Sequence, residues 1–179
     1  SKTIKLLIMD ISTFFYKNIL DFFVTGINNN SLSGSYIISG PVGMGKRDLV
    51  KTIINKLGSS EDNILDVHFI SQDDEKDEIS IEQVRDLTHT LYTSSVSSNY
   101  KIVCINAAET LTVQAGNALL KILEEPPQKT IFLLIDDNTR PMLLTIKSRS
   151  IHFNISNVMD KQLKKFLEKN NDVNDVDSV

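Results

Sequence analysis

The chain has 179 residues, 41% of them apolar and 23% charged, a balance that suits a folded domain large enough to bury a core without metal or disulfide staples. Its 19 basic and 23 acidic residues give a net charge of −4, the wrong sign for a domain that grips a nucleic-acid backbone by itself. Cys104 is the sole cysteine, which excludes an intramolecular disulfide and a multi-thiolate zinc site, and the apolar runs fall well short of the ~18 residues of a membrane span, so the expectation is a soluble chain in a reducing compartment.

From Ile11 onward, Phe14, Phe15, Ile19, Leu20, Phe22 and Phe23 fall at three- and four-residue spacings, which predicts a helix over about Ser12–Val24 with one face buried. The Asn-, Ser- and Gly-rich stretch Gly26–Gly34 predicts a loop. Ser35–Ser39 is a short β-forming run that ends at Gly40, and Lys46–Leu57 carries Leu49, Val50, Ile53, Ile54 and Leu57 at the helical period, with Gly58 placed to close the helix at C′. Val67–Ile70 predicts a second strand, and the charge run Asp73–Glu78 a solvated loop. Ser80 and Gln83 stand at capping-box spacing before a helix through Val84, Leu87 and Leu91. After a polar link at Ser94–Asn99, Ile102–Ile105 predicts a third strand, and Thr112 opens a helix that Pro126-Pro127 stops. Ile131–Ile135 and Ile151–Ile155 predict two further strands, Asp160–Lys169 an amphipathic helix, and Asn170–Val179 a mobile acidic tail. The alternation of strands and helices predicts an α/β fold with a parallel sheet flanked by helices.

Gly40-Pro41-Val42-Gly43-Met44-Gly45-Lys46-Arg47 matches G-x-x-x-x-G-K but lacks the closing Ser/Thr. Glycines at Gly40, Gly43 and Gly45 let backbone N–H groups wrap a phosphate, and Lys46 would reach its outer oxygens. An ordinary glycine turn would need none of this; the position between a buried strand and a helix favours the phosphate loop. Arg47 puts a cation where a hydroxyl should hold Mg²⁺. The third strand should then end in acidic metal-holding residues, and Asn106 and Ala107 stand there instead, with Glu109 further along as a solvated loop or helix-start residue. The expectation is weak nucleotide binding or none, no metal site and no hydrolysis. His68, His89 and His152 have no metal-ligand spacing.

A second block, Asn117-Ala118-Leu119-Leu120-Lys121-Ile122-Leu123-Glu124-Glu125-Pro126-Pro127, is by physics alone a helix with a buried face, stopped by two prolines, its glutamates on a solvated end. Followed by Thr130–Leu134 and by Leu143-Leu144-Thr145-Ile146-Lys147-Ser148-Arg149-Ser150, it closely resembles the bacterial clamp-loader AAA+ family, in its delta-prime branch of DNA polymerase III, with gamma/tau as nearest relatives. The resemblance runs from about Leu32 to Ile155. It departs from the family's pattern at Ser150, where a cysteine is usual, and at Leu144, where a proline is common.

The resemblance implies a P-loop AAA+ core over 34–156, preceded by a helix and loop at 1–33 and followed at 157–179 by the first helix of a lid and a mobile tail. It implies a largely non-catalytic stator in a ring that loads a sliding clamp onto primer-template DNA in the bacterial cytoplasm. Its partners would be gamma/tau and delta subunits, with clamp and DNA met through the assembled ring and no membrane. It requires no cofactor and leaves room for weak ATP or ADP binding. Arg149 matches the family's arginine finger, which reaches a neighbour's ATP; without the resemblance, an arginine capping the preceding helix is the plainer reading. Asp136 and Asp137 take the place of a polar sensor and would repel a γ-phosphate. The family's four-cysteine zinc module is absent. The family normally continues through lid and collar domains, whereas this sequence stops in what resembles the first lid helix, which fits either a piece of a longer protein or a reduced form. Two alternatives stand beside this reading. An active gamma/tau-type ATPase lacks its metal ligands here, and a small P-loop phosphotransferase needs more arginines than Arg47, Arg85, Arg140 and Arg149.

Overall fold

The computed structural model describes residues 16–58, 65–73, 76–93 and 100–155. The start of the expected N-terminal helix at Ser12, the link Ser94–Asn99, the lid helix Asp160–Lys169 and the acidic tail lie outside the described residues.

Helix α1 (Lys17–Asn28) leads into β1 (Gly34–Ser39), then α2 (Lys46–Leu57) and β2 (Leu65–Ile70). Next come α3 (Ile81–Thr93), β3 (Tyr100–Ile105), a 3₁₀ turn at Ala108–Thr110, α4 (Val113–Glu124) and β4 (Thr130–Asp136). A short α5 (Leu144–Lys147) and β5 (Ser150–Asn154) complete the described chain. The five strands pair in the order β2-β3-β4-β1-β5, and every pairing is parallel. The parallel arrangement buries both faces of the central strands, which is why β4 reads as an unbroken apolar run. Ile131, Leu133 and Ile135 pack on the side of α1 and α2, while Phe132 and Leu134 pack on the side of α3, α4 and α5. Truncating a fully buried residue such as Leu119 on α4 to alanine costs about 2–5 kcal/mol in such a core.

Local chemistry sets most of the boundaries. Ser80 and Gln83 form the reciprocal capping box, with Ser80 N donating to Gln83 Oε1 at 2.9 Å and Gln83 N to Ser80 Oγ at 3.3 Å. Thr112 caps α4 by accepting from Ala115 N at 3.1 Å.

Two expectations change, and one short helix shows no periodic signal in the sequence. The loop expected at Gly26–Gly34 begins later, because buried Ile27 continues the apolar face of Phe23 one turn on and carries α1 through Gly26 to Asn28. Gly58 closes α2 by donating its N–H to Ile54 O, but at φ −87° it is not the left-handed residue expected at C′. Finally, α5 escaped the periodicity because it has only four residues; it is held by the burial of Ile146.

Candidate functional site

The phosphate loop leaves the carboxyl end of β1, the edge of a parallel sheet where ligands of this architecture bind. Gly40 N donates to Asp136 O at 3.2 Å, tying the loop's first residue to the end of β4. Tyr16 Oη donates to Met44 O at 2.8 Å, pinning the loop from the start of α1. Gly43 and Gly45 have φ of +86° and +72°, a left-handed backbone that residues with a Cβ adopt at a cost. Gly45 is the N-cap of α2, so the first turn of that helix faces the loop.

Gly40, Gly43 and Gly45 lie on the loop, and Lys46 and Arg47 open α2 directly after it. A cleft of about 320 Å³ is lined by Val42, Gly43, Gly45, Lys46, Arg47, Asp48 and Asp137. A larger cleft of about 920 Å³ runs along β2 and α3 and shares no residue with the loop.

Lys46 is fully engaged within its own chain. Its Nζ donates to the carbonyls of Gly40 and Pro41, both at 2.6 Å, and lies 2.6 Å from Asp137 Oδ1. Only 3% of the residue is exposed. The carboxylate of Asp137 thus takes up Lys46, the side chain the sequence assigns to a phosphate oxygen. Its neighbour Asp136 is buried and accepts from Asn138 N at 2.8 Å. Arg47 and Asn106, the residues at the two positions that should hold Mg²⁺, pair with each other: Arg47 Nε donates to Asn106 Oδ1 at 2.8 Å. The carboxamide oxygen that could coordinate a metal is thus turned to a guanidinium cation, and these residues do not fit Mg²⁺.

Glu109 is not the solvated residue the sequence suggests. The turn at Ala108–Thr110 folds it inward to 4% exposure, and its Oε1 accepts from Thr139 Oγ1 at 2.8 Å. Cys104 is buried in β3, and burial pushes its thiol up to about 12. Among the described residues no group of three or more His, Cys, Asp or Glu could hold a metal ion, and no helix is long and apolar enough to cross a membrane. His152 Nε2 lies 2.8 Å from Ser39 Oγ, and burial lowers its pKa.

Arg149 stands apart from the loop. It immediately precedes β5, whose Ser150 pairs with Ser35 at the amino end of β1, whereas the loop follows Ser39 at the carboxyl end. Four residues of extended strand separate the two levels, about 13 Å at 3.3 Å per residue. Arg149 Nε donates to Glu124 Oε1 at 2.9 Å, Nη2 lies 2.7 Å from the same oxygen, and Nη1 donates to Thr145 O at 3.2 Å. The last contact is the helix-capping role that the residues alone suggested. The pairing with Glu124 was not legible, since no local spacing links residues 25 positions apart.

A family model described as "DNA polymerase III, delta subunit" matches residues 16–159. The DNA polymerase III subunit delta' of Yersinia pestis is 40% identical over 88 residues, 49% of this chain and 26% of that protein. The crystal structure of a DNA polymerase III gamma subunit-related protein from Thermotoga maritima superposes with a TM-score of 0.63 at 29% identity, covering 75% of this chain and 45% of that one. The RuvB Holliday junction branch migration motor of the same organism shares the fold alone, with a TM-score of 0.56 at 14% identity over 76% of this chain and 43% of its own. This chain spans less than half the length of each of these proteins.

Proposed function

The chain belongs to the DNA polymerase III delta-subunit family, matched over residues 16–159, and from that membership we propose that it is the AAA+ core of a non-catalytic clamp-loader subunit that supplies Arg149 to a neighbouring subunit's ATP site. The proposal places it in the bacterial cytoplasm, in a ring with gamma/tau and delta subunits that loads a sliding clamp onto primer-template DNA. Its own phosphate loop takes part as structure.

The observation that carries this reading is the separation of Arg149 from the loop across the sheet. An arginine at the amino edge cannot neutralise a phosphate held at the carboxyl edge of the same domain, so any phosphate it meets comes from outside. A guanidinium set on a γ-phosphate stabilises the charge spread over its oxygens as the phosphoryl group transfers. The loop supports the other half of the proposal: Asp137 occupies the lysine, and Arg47 and Asn106 satisfy one another where metal ligands are needed.

The test is a titration of labelled ATP and Mg²⁺ against the purified protein, with turnover measured alongside. Weak or absent binding and no turnover are expected. Hydrolysis that disappears in Lys46→Ala would instead make this an active gamma/tau-type ATPase.

A further inference from the structure

Arg149 is fixed by two elements that meet at a close helix contact. Leu143, just before α5, packs over Gly116 on α4 so tightly that a Cβ there would fall 2.1 Å from Leu143 Cδ1. That approach brings Glu124, the last residue of α4, beside Arg149. Glu124 Oε1 takes both Nε and Nη2, at 2.9 and 2.7 Å, and Thr145 O takes Nη1 at 3.2 Å. The side chains of Arg149 and Glu124 remain 41% and 51% exposed. Exposed ion pairs add little to stability, so the consequence of this one lies in geometry.

A guanidinium is planar, with five N–H donors in a rigid fork. Nε and one N–H of Nη2 share the edge turned to Glu124. The second N–H of Nη2 therefore points away from that edge, and among the described residues it has no partner. An arginine on a free stem would sample many rotamers, whereas this one is already oriented.

We propose that Glu124 is the positioning residue of Arg149: its carboxylate holds the Nε–Nη2 edge so that the remaining Nη2 N–H is presented outward to a phosphate of a neighbouring subunit's nucleotide. This rests on the reading of Arg149 as a group acting in trans. A bound phosphate then meets a guanidinium whose orientation has been set beforehand, which is how positioning contributes to rate.

The experiment uses the complete clamp-loader complex, assembled with the full-length subunit carrying Glu124→Ala, Glu124→Gln, Arg149→Ala or both alanines, and reads kcat and KM for ATP. Arg149→Ala lowers kcat. Glu124→Ala lowers kcat roughly tenfold and changes KM less than about twofold. Glu124→Gln keeps an oxygen acceptor at Oε1 and recovers most of the rate. The double variant is no slower than Arg149→Ala alone, because Glu124 acts only through Arg149. A normal or raised rate for Glu124→Ala, with Arg149→Ala impaired, overturns the positioning role and leaves the trans role standing. So does a Glu124→Gln variant as slow as Glu124→Ala, or a double variant slower than Arg149→Ala. An unaffected Arg149→Ala overturns both.

Discussion

Substituting Asp137 with asparagine probes the state of the phosphate loop most sharply. The Lys46–Asp137 pair spans 2.6 Å, with side-chain exposures of 2% and 17%. Removing one partner of a fully buried ion pair costs about 3–5 kcal/mol. Lys46 keeps its two carbonyl acceptors, and asparagine still offers an oxygen, so about 1–3 kcal/mol is expected here. For a chain of this size that lowers the unfolding midpoint by roughly 2–10 °C. The same change removes a negative charge from the place a phosphate would occupy. Two unit charges 4 Å apart interact by about 4 kcal/mol at an effective dielectric constant of 20, and part of this is recovered when the carboxylate goes. ATP affinity measured without Mg²⁺ therefore rises roughly tenfold or more, even as the protein becomes less stable. Thermal unfolding followed by circular dichroism and a fluorescent-ATP titration read the two effects. A midpoint unchanged within about 1 °C together with an unchanged affinity would refute the competition between Asp137 and phosphate.

Gly45→Ala puts a Cβ on a backbone at φ +72° with open space around it, so the strain is purely conformational and costs about 1–2 kcal/mol in chemical denaturation. His152 is lowered from 6.5 by burial first and by the Lys147 charge second, with Asp136 opposing. Its contribution to stability is thus present in full above pH 6.5 and drains away below it, as the unfolded chain takes up the proton first. Unfolding free energies measured on either side of that pH should show this drop, and His152→Gln should flatten it. The Cys104 thiol, buried and raised to about 12, should resist iodoacetamide at neutral pH in the folded protein and react once denaturant is added. Rapid labelling of the native protein would contradict its burial in β3.

The period-2 and period-3.6 patterns made the long elements legible because each carries a face that must be buried. Hence α2 and α4 start where the sequence predicts, one after a glycine loop and one at the Thr112 cap. Short or context-bound features were not legible. The four residues of α5 are too few for a periodic signal, and α1 ran through Gly26 because burial of Ile27 outweighed glycine's poor helix propensity. Within the loop, the residues that depart from a working phosphate site were visible in sequence. Their pairing was not: Lys46 meets Asp137 only once β4 lies beside β1, and Arg47 meets Asn106 only once β3 lies on the far side of β4. Glu109 stands in the first turn of a short helix, one of the two places the sequence offered, but it is buried because Thr139 reaches it from a loop thirty residues away.

In the proposed function, this subunit's own loop is idle while its arginine acts on a neighbour. One measurement separates the two: the DNA-stimulated ATPase rate of the complete clamp loader, assembled with either Lys46→Ala or Arg149→Ala in the full-length subunit. A wild-type rate is expected with Lys46→Ala and a loss of roughly tenfold or more, at the neighbouring site, with Arg149→Ala. A complex slowed by Lys46→Ala and indifferent to Arg149→Ala would contradict it.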